Sequence, residues 1–169
     1  TVYPVPNIYS ITGGGTFCSG GSGVAIGLSS SQAGINYQLY NGSSTVGSPR
    51  AGTGAAISFG SVTGAGSYTA IGVNSSTACS SSMTGSATVS VNPVPIISGS
   101  LYTVAPAGTI SLSGSITGGL WSSGTPSVAT IGSSSGTITG VSLGSSTISY
   151  TLPTGCRGTR VIYVTPTGY

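Results

Sequence analysis

The side chains that most often carry out chemistry in proteins are almost absent from this sequence. Its 169 residues include three arginines, Arg50, Arg157 and Arg160, and no lysine, aspartate, glutamate or histidine. General acid–base catalysis near neutral pH depends on histidine, a carboxylate or a lysine whose pKa is tuned. The composition therefore predicts that the chain is not an enzyme.

The same absences argue against metals, cofactors and nucleic acid as ligands. Calcium, magnesium and zinc are held by carboxylates, imidazoles or clustered thiolates, and three scattered cysteines form no such cluster. Nucleic-acid binders neutralise several phosphates with lysine and arginine, which three arginines cannot do. Apolar runs are too short to cross a bilayer. We predict no cofactor, no nucleic-acid partner and no membrane insertion.

Hydrophobic patterning indicates a folded, all-β protein. Hydrophobic residues make up 37% of the chain, and valine, isoleucine and tyrosine recur throughout, whereas disordered chains are poor in such residues. Short alternating segments lie between glycine, serine and asparagine clusters, the pattern of a sandwich or barrel. The predicted strands cover residues 23–29, 35–40, 55–59, 67–73, 86–91, 109–113, 120–122, 127–131, 137–141, 147–151 and 160–165.

A proline-containing pattern recurs and predicts a domain boundary. Val2-Tyr3-Pro4-Val5-Pro6 is echoed by Val91-Asn92-Pro93-Val94-Pro95 and by Val164-Thr165-Pro166. Proline denies continuation of a strand ladder and stiffens the backbone. Three unrelated proline loops would give the same pattern. A tandem array explains it better, with one domain over residues 1–92 and a second over 93–169.

The three cysteines are divided unequally between the predicted domains. Cys18 and Cys79 both lie in the first, and a thiol pair in a small, charge-poor domain predicts a disulfide formed in an oxidising compartment. Two independent buried thiols are the alternative. Cys156 has no partner in its own half, so it is a lone buried thiol, a bridge to a neighbouring chain or the remnant of a pair. We expect it to form no bond within its domain.

Tyr68 follows a glycine in Ala65-Gly66-Ser67-Tyr68, as in the tyrosine corner of immunoglobulin-like sandwiches. The alternative is an ordinary core aromatic. Tyr37 and Tyr150 lie on strand faces that are predicted to point inward. The aromatic side chains therefore favour a structural role over a ligand-binding one.

Several segments resemble known immunoglobulin-like repeats. In the first half, Ser10-Ile11-Thr12-Gly13-Gly14-Gly15-Thr16-Phe17-Cys18 and Gly34-Ile35-Asn36-Tyr37-Gln38-Leu39 resemble repeats of very long secreted proteins of Bacteroidota-type bacteria. In the second half, Ser127-Val128-Ala129-Thr130-Ile131 and Gly136-Thr137-Ile138-Thr139-Gly140-Val141 resemble the bacterial immunoglobulin-like group 2 family. The resemblance implies two tandem immunoglobulin-like β-sandwich domains that act as extracellular spacers or adhesive modules. In such proteins, a cysteine at the position of Cys156 often pairs with one near the start of its domain, where this sequence has Val104 and Ala105.

The near-absence of charge favours a structural subunit of an extracellular filament or cell-surface fibre. Low charge density promotes association, and edge strands without charged side chains lack a common protection against strand addition. The expected partners are copies of the chain or neighbouring repeats, joined head to tail. The residues expected at the joints are Val2, Tyr3, Pro4, Val5, Pro6, Val164, Pro166 and Tyr169.

The sequence suggests two possible relations to glycans, as bound ligands or as attached groups. An adhesive or carbohydrate-binding surface module is the alternative function, because exposed tyrosine or tryptophan rings can stack on sugars. Attached sugars would also hydrate an uncharged surface. Asn41-Gly42-Ser43 and Asn74-Ser75-Ser76 match the acceptor pattern for N-glycosylation, so we predict Asn41 and Asn74 as possible attachment sites.

Overall fold

Strands form throughout residues 3–166, the part of the chain that this computed structural model describes. Those residues contain no helix. The chain divides into two compact units, Thr1–Asn92 and Pro93–Tyr169. Unit 1 contains nine strands within the described residues: β1 (Ile11–Gly13), β2 (Gly15–Cys18), β3 (Val24–Leu28), β4 (Ile35–Asn41), β5 (Ser44–Ala51), β6 (Ile57–Val62), β7 (Gly66–Asn74), β8 (Ser80–Ser82) and β9 (Ala87–Asn92).

Two sheets make up unit 1. One has the strand order β1-β3-β6, and the other has the order β2-β9-β7-β4-β5, with β8 also paired to β7. The first strand changes sheet at Gly13, Gly14 and Gly15, whose φ angles are 92°, 87° and 135°. Glycine adopts such angles readily because it has no Cβ. The glycine run therefore lets β1 pair with β3 while β2 pairs in parallel with β9.

The core of unit 1 is formed by the side chains that alternate along its central strands. Ile26 and Leu28 of β3 are buried, as are Ile35, Tyr37 and Leu39 of β4. These are the inward faces that the period-2 pattern predicts. Two adjoining clusters result, one around Ile26 and Leu39 and the other around Leu28 and Tyr37.

Unit 2 repeats the two-layer arrangement, with two eight-residue strands and seven strands of two to four residues among its described residues. Its strands within the described residues are β10 (Ile97–Ser98), β11 (Thr103–Val104), β12 (Thr109–Ser111), β13 (Ser113–Gly114), β14 (Leu120–Ser123), β15 (Ala129–Ile131), β16 (Thr137–Gly140), β17 (Gly144–Thr151) and β18 (Arg157–Val164). A four-stranded sheet has the order β11-β18-β17-β14, opposite a three-stranded sheet β12-β16-β15 and the short pair β10-β13.

A single cluster forms the core of unit 2. Ala129, Ile138, Ile148 and Ile162 are completely buried there. The Trp121 and Tyr150 rings pack with their centroids 4.4 Å apart. The Tyr150 hydroxyl accepts a hydrogen bond from the Gly119 N–H at 2.9 Å. These aromatics are therefore structural parts of the core.

The strand β5 was not predicted. Its sequence contains Gly47, Pro49 and Arg50 and shows no regular alternation, and it lies at the edge of its sheet, paired only with β4 among the described strands. Proline is tolerated on edge strands because one row of N–H groups there has no ladder partner. Pro49 and Arg50 also protect this edge from further strand pairing.

Candidate functional site

The cysteine pairing expected from the sequence is wrong. Cys79 is a free thiol, and the disulfide-bonded cysteines are Cys18 and Cys156. The sheet register gives the reason. Cys18 pairs with Asn92, beyond the Gly66 end of β7, whereas Cys79 follows the Asn74 end. Eight residues of strand separate these ends by about 26 Å, and a disulfide needs Cα atoms within about 7 Å.

Peptide mapping without reduction tests this assignment. We expect Cys18 and Cys156 to be protected from a thiol reagent until reduction, and we expect Cys79 to be alkylated under native conditions, since its side chain is only partly buried. A Cys79→Ser variant should leave that protection unchanged. Recovery of Cys18 linked to Cys79 would contradict the assignment.

The first predicted assembly segment presents apolar side chains to solvent. Tyr3 is 54% exposed and Val5 is 63% exposed, while Pro4 is also exposed and Pro6 is buried. The Asn7 N–H donates to Gln32 Oε1 at 3.0 Å, which holds the backbone after this segment against the loop between β3 and β4. Val2 lies outside the described residues. The segment is therefore anchored at Asn7 and leaves two large apolar side chains unburied.

The second predicted assembly segment is placed differently. Val164 is buried in the core of unit 2, and the Thr165 N–H donates to the Val104 carbonyl at 3.0 Å. Pro166 is exposed, and Tyr169 lies outside the described residues. The exposed apolar side chains here are Val161 and Tyr163, at 42% and 52% exposure. These two residues are not among the predicted joint residues, although their alternation with Ile162 and Val164 indicates that they point outward.

The two candidate glycosylation sites have different surroundings. The Asn41 Nδ2 donates to the Ala65 carbonyl at 3.1 Å, so the atom that would carry a glycan supports the turn before β7. The Asn74 Oδ1 accepts from the N–H groups of Ser76 and Thr77. That arrangement uses the oxygen and not Nδ2, where a glycan attaches. The two predicted sites therefore differ in the side-chain atom that makes these hydrogen bonds.

The predicted structural tyrosines lie in the core of their units. Tyr68 is buried and donates from its hydroxyl to the Gly64 carbonyl at 2.8 Å, four residues upstream, as a tyrosine corner does. The Tyr37 hydroxyl accepts from the Gln32 N–H at 2.9 Å. Burial raises the pKa of Tyr37 above its ordinary value. Both hydroxyl groups thus stabilise loops.

The described residues contain no cluster of side chains that could hold a metal ion. Between residues 3 and 166, no three side chains of histidine, cysteine, aspartate or glutamate come together. The same part of the chain contains no helix long and apolar enough to cross a membrane. A groove of about 340 Å³ lies on the outer face of the β1-β3-β6 sheet, and its lining includes Thr12, Gly27 and Ser58. It holds no titratable side chain.

Comparison with known proteins identifies the fold and no family. No protein-family model and no curated protein matches the sequence. A solved structure of the C-terminal 282-residue fragment of intimin, in complex with the intimin-binding domain of the translocated intimin receptor, is similar with a TM-score of 0.54 and 18% identity over 94% of this chain and 64% of that chain. Immunoglobulin domains 1–4 of Sidekick-1 match with a TM-score of 0.47 and 12% identity over 95% of this chain and 48% of that chain.

The fold belongs to the class of all-β, immunoglobulin-like sandwiches. Titin domains I67–I69 are a further match, with a TM-score of 0.36 and 14% identity over 93% of this chain and 60% of theirs. This chain therefore spans less than two thirds of each of the three matched structures. The similarity to the intimin fragment supports the fold alone, and function has to be argued from the surface.

Proposed function

We propose that this chain is a non-catalytic structural subunit of an extracellular filament or cell-surface fibre. Its copies assemble head to tail through the ends of their β-sandwiches. The observation that carries this proposal is the exposure of Tyr3 and Val5 on a proline-containing segment next to an almost uncharged sandwich. Two disulfide-bonded cysteines support an oxidising, extracellular location. The resemblance to bacterial immunoglobulin-like repeats supports the same role.

Electrostatic repulsion between copies of this chain is weak. Like charges normally keep protein copies apart, and this chain has a net charge of +3 from three arginines. Burying Val5 at a joint would contribute about 1.5–3 kcal/mol. A contact between different patches on two copies extends into an open fibre when its rotation does not close. Assembly then depends on apolar and hydroxyl packing, because the chain has no side-chain acid to pair with arginine.

Assembly should therefore be nearly indifferent to ionic strength and to pH. No side-chain carboxylate or imidazole is present to titrate between about pH 4 and pH 9. Sedimentation and negative-stain electron microscopy should show the same filaments from low salt to about 0.5 M salt and from about pH 7 to about pH 5. Val5→Lys should raise the concentration needed for assembly roughly tenfold or more, because 1.4 kcal/mol corresponds to a factor of ten.

Ser43→Lys is the matched control for that variant. Ser43 lies in the exposed turn between β4 and β5. The variant therefore adds the same positive charge away from the joint, and it should assemble like the parent chain. Filaments that dissociate on adding moderate salt or on moving to pH 5 would contradict the proposal. So would equal effects of Val5→Lys and Ser43→Lys, or a chain that stays monomeric under every condition.

A second candidate function is an adhesive or carbohydrate-binding surface module. The observation that favours it is Tyr163, whose ring is 52% exposed on a central strand of unit 2, in contrast to the buried Tyr37, Tyr68 and Tyr150. Immunoglobulin-like neighbours that bind other proteins support a surface role of this kind. A glycan attached at Asn74 would supply hydration that charged groups normally provide.

A further inference from the structure

The outer face of the β11-β18-β17-β14 sheet carries an ordered array of small hydroxyl groups around one aromatic ring. Along β17 and β18, buried residues alternate with outward ones, except that Gly144 and Arg160, at positions on the core side, are exposed. The outward set is Arg157, Thr159, Val161 and Tyr163 on β18, Ser145, Thr147, Ser149 and Thr151 on β17, and Leu120 and Ser122 on β14.

Strand register aligns these side chains in rows. Tyr163 lies between Thr103 on one neighbouring strand and Ser145 on the other. A second row contains Thr159, Ser149 and Ser122. Neighbouring strands are about 4.8 Å apart, and outward residues repeat about every 6.6 Å along a strand. The face therefore presents hydroxyl donors and acceptors at regular intervals beside an exposed ring.

This face is held rigid by the structure beneath it. β17 and β18 pair without interruption over eight residues each, and threonine side chains are restricted at χ1. The Tyr163 N–H donates to the Tyr102 carbonyl at 3.0 Å. The Arg160 guanidinium stacks 3.8 Å from the centre of the Tyr102 ring. Little conformational entropy is lost when such a surface binds a ligand.

The chemistry of the face selects its ligand. A second protein sheet packed on it would bury rows of hydroxyl groups, each of which costs free energy unless it finds a hydrogen-bond partner. A polysaccharide supplies such partners at every sugar unit, and the apolar side of a sugar ring can lie against Tyr163. Arg157, at one end of β18, is the only charged residue at an outward position of β14, β17 and β18. Arg160 is also exposed, but it occupies a core-side position of β18 and stacks on the Tyr102 ring. An uncharged ligand matches this face better than an anionic one.

From this geometry we infer that the outer face of the four-stranded sheet of unit 2 binds neutral polysaccharide chains, with the Tyr163 ring as the stacking platform. The inference deepens the second candidate function, and it does not depend on filament assembly. Hydroxyl contacts compete with water, so binding at a single face is weak. Repetition of the face along a fibre would raise the overall affinity through multivalency.

Affinity electrophoresis of the full chain tests the inference. Native gels would contain dextran, yeast mannan or mixed-linkage β-glucan as neutral probes and alginate as the anionic probe, with microcrystalline cellulose for a pull-down. We expect at least one neutral probe to retard the chain. Tyr163→Ala should weaken that retardation at least tenfold, and Tyr163→Phe should keep most of it because the ring remains. Thr147→Val, which removes one hydroxyl at nearly constant volume, should weaken it by a smaller factor.

Ile96→Ala is the control, since Ile96 is 68% exposed and lies directly before β10, outside the four-stranded sheet and outside the proposed joints. It should leave retardation unchanged. Absence of retardation by every neutral probe, binding to alginate alone, or equal effects of Ile96→Ala and Tyr163→Ala would each overturn the inference. A Tyr163→Ala variant that changes sedimentation without changing retardation would assign the face to contacts between copies. Filament formation is measured separately, by sedimentation and electron microscopy. A negative electrophoresis result would therefore not contradict the proposed assembly.

Discussion

Gly114→Ala is expected to destabilise unit 2 by about 1–3 kcal/mol, the usual cost of overpacking a core. A Cβ at Gly114 would lie 2.3 Å from Tyr150 Cε1 and 2.6 Å from Cδ1. The φ angle of Gly114 is outside the left-handed region, so the penalty is steric and does not come from backbone strain. Tyr150 cannot easily move away, because it packs on Trp121 and its hydroxyl accepts from the Gly119 N–H.

A double-mutant cycle separates this clash from other effects. Tyr150→Leu shortens the side chain at the point of contact and is itself destabilising, since it leaves a cavity. In that background, Gly114→Ala should cost less than half of what it costs in the parent chain, measured as the free energy of unfolding in urea. Additive costs would show that the contact with Tyr150 is not the cause. Gly119→Ala should behave like Gly114→Ala, because its Cβ would lie 2.6 Å from Tyr150 Cζ.

Ser146→Ala is expected to destabilise the same unit by about 1–3 kcal/mol, the cost of leaving buried polar groups without partners. Ser146 is 1% exposed, and its Oγ accepts from the Thr125 N–H at 3.0 Å. The Ser123 hydroxyl proton goes to the Ala129 carbonyl at 2.6 Å. The 2.8 Å contact between the two hydroxyl groups therefore has Ser146 as its donor. The hydrogen bonds form one directed chain from Thr125 to Ala129.

Because the hydrogen bonds form one chain, the losses of unfolding free energy caused by the two serine substitutions should not be additive. Ser123→Ala alone should cost a similar amount, and the double variant should cost clearly less than the sum. Ser145→Ala is the control: this neighbouring serine is exposed, and its change should stay within about 0.5 kcal/mol. Equal costs at Ser145 and Ser146, in thermal or urea unfolding, would refute the directed chain.

The sequence by itself determined the strand faces of the central strands. In β3 and β4, hydrophobic residues occur at every second position, and the predicted inward side chains Ile26, Leu28, Ile35, Tyr37 and Leu39 are all buried. Period-2 alternation is a local property of an extended chain, so it can be recognised without tertiary information. The complete lack of carboxylates and imidazoles is likewise a property of the sequence alone.

Tertiary structure decided which cysteines pair and which residues face outward near the end of β18. Cys18 and Cys79 share unit 1, yet the register of β2, β9 and β7 places them at opposite ends of one sheet. Val164 appeared as an assembly residue in a proline-containing segment, but pairing with β11 and β17 turns it into the core and leaves Tyr163 outside. A shift of one residue in a strand exchanges the two faces. Strand register depends on contacts between distant segments, which a single sequence does not display.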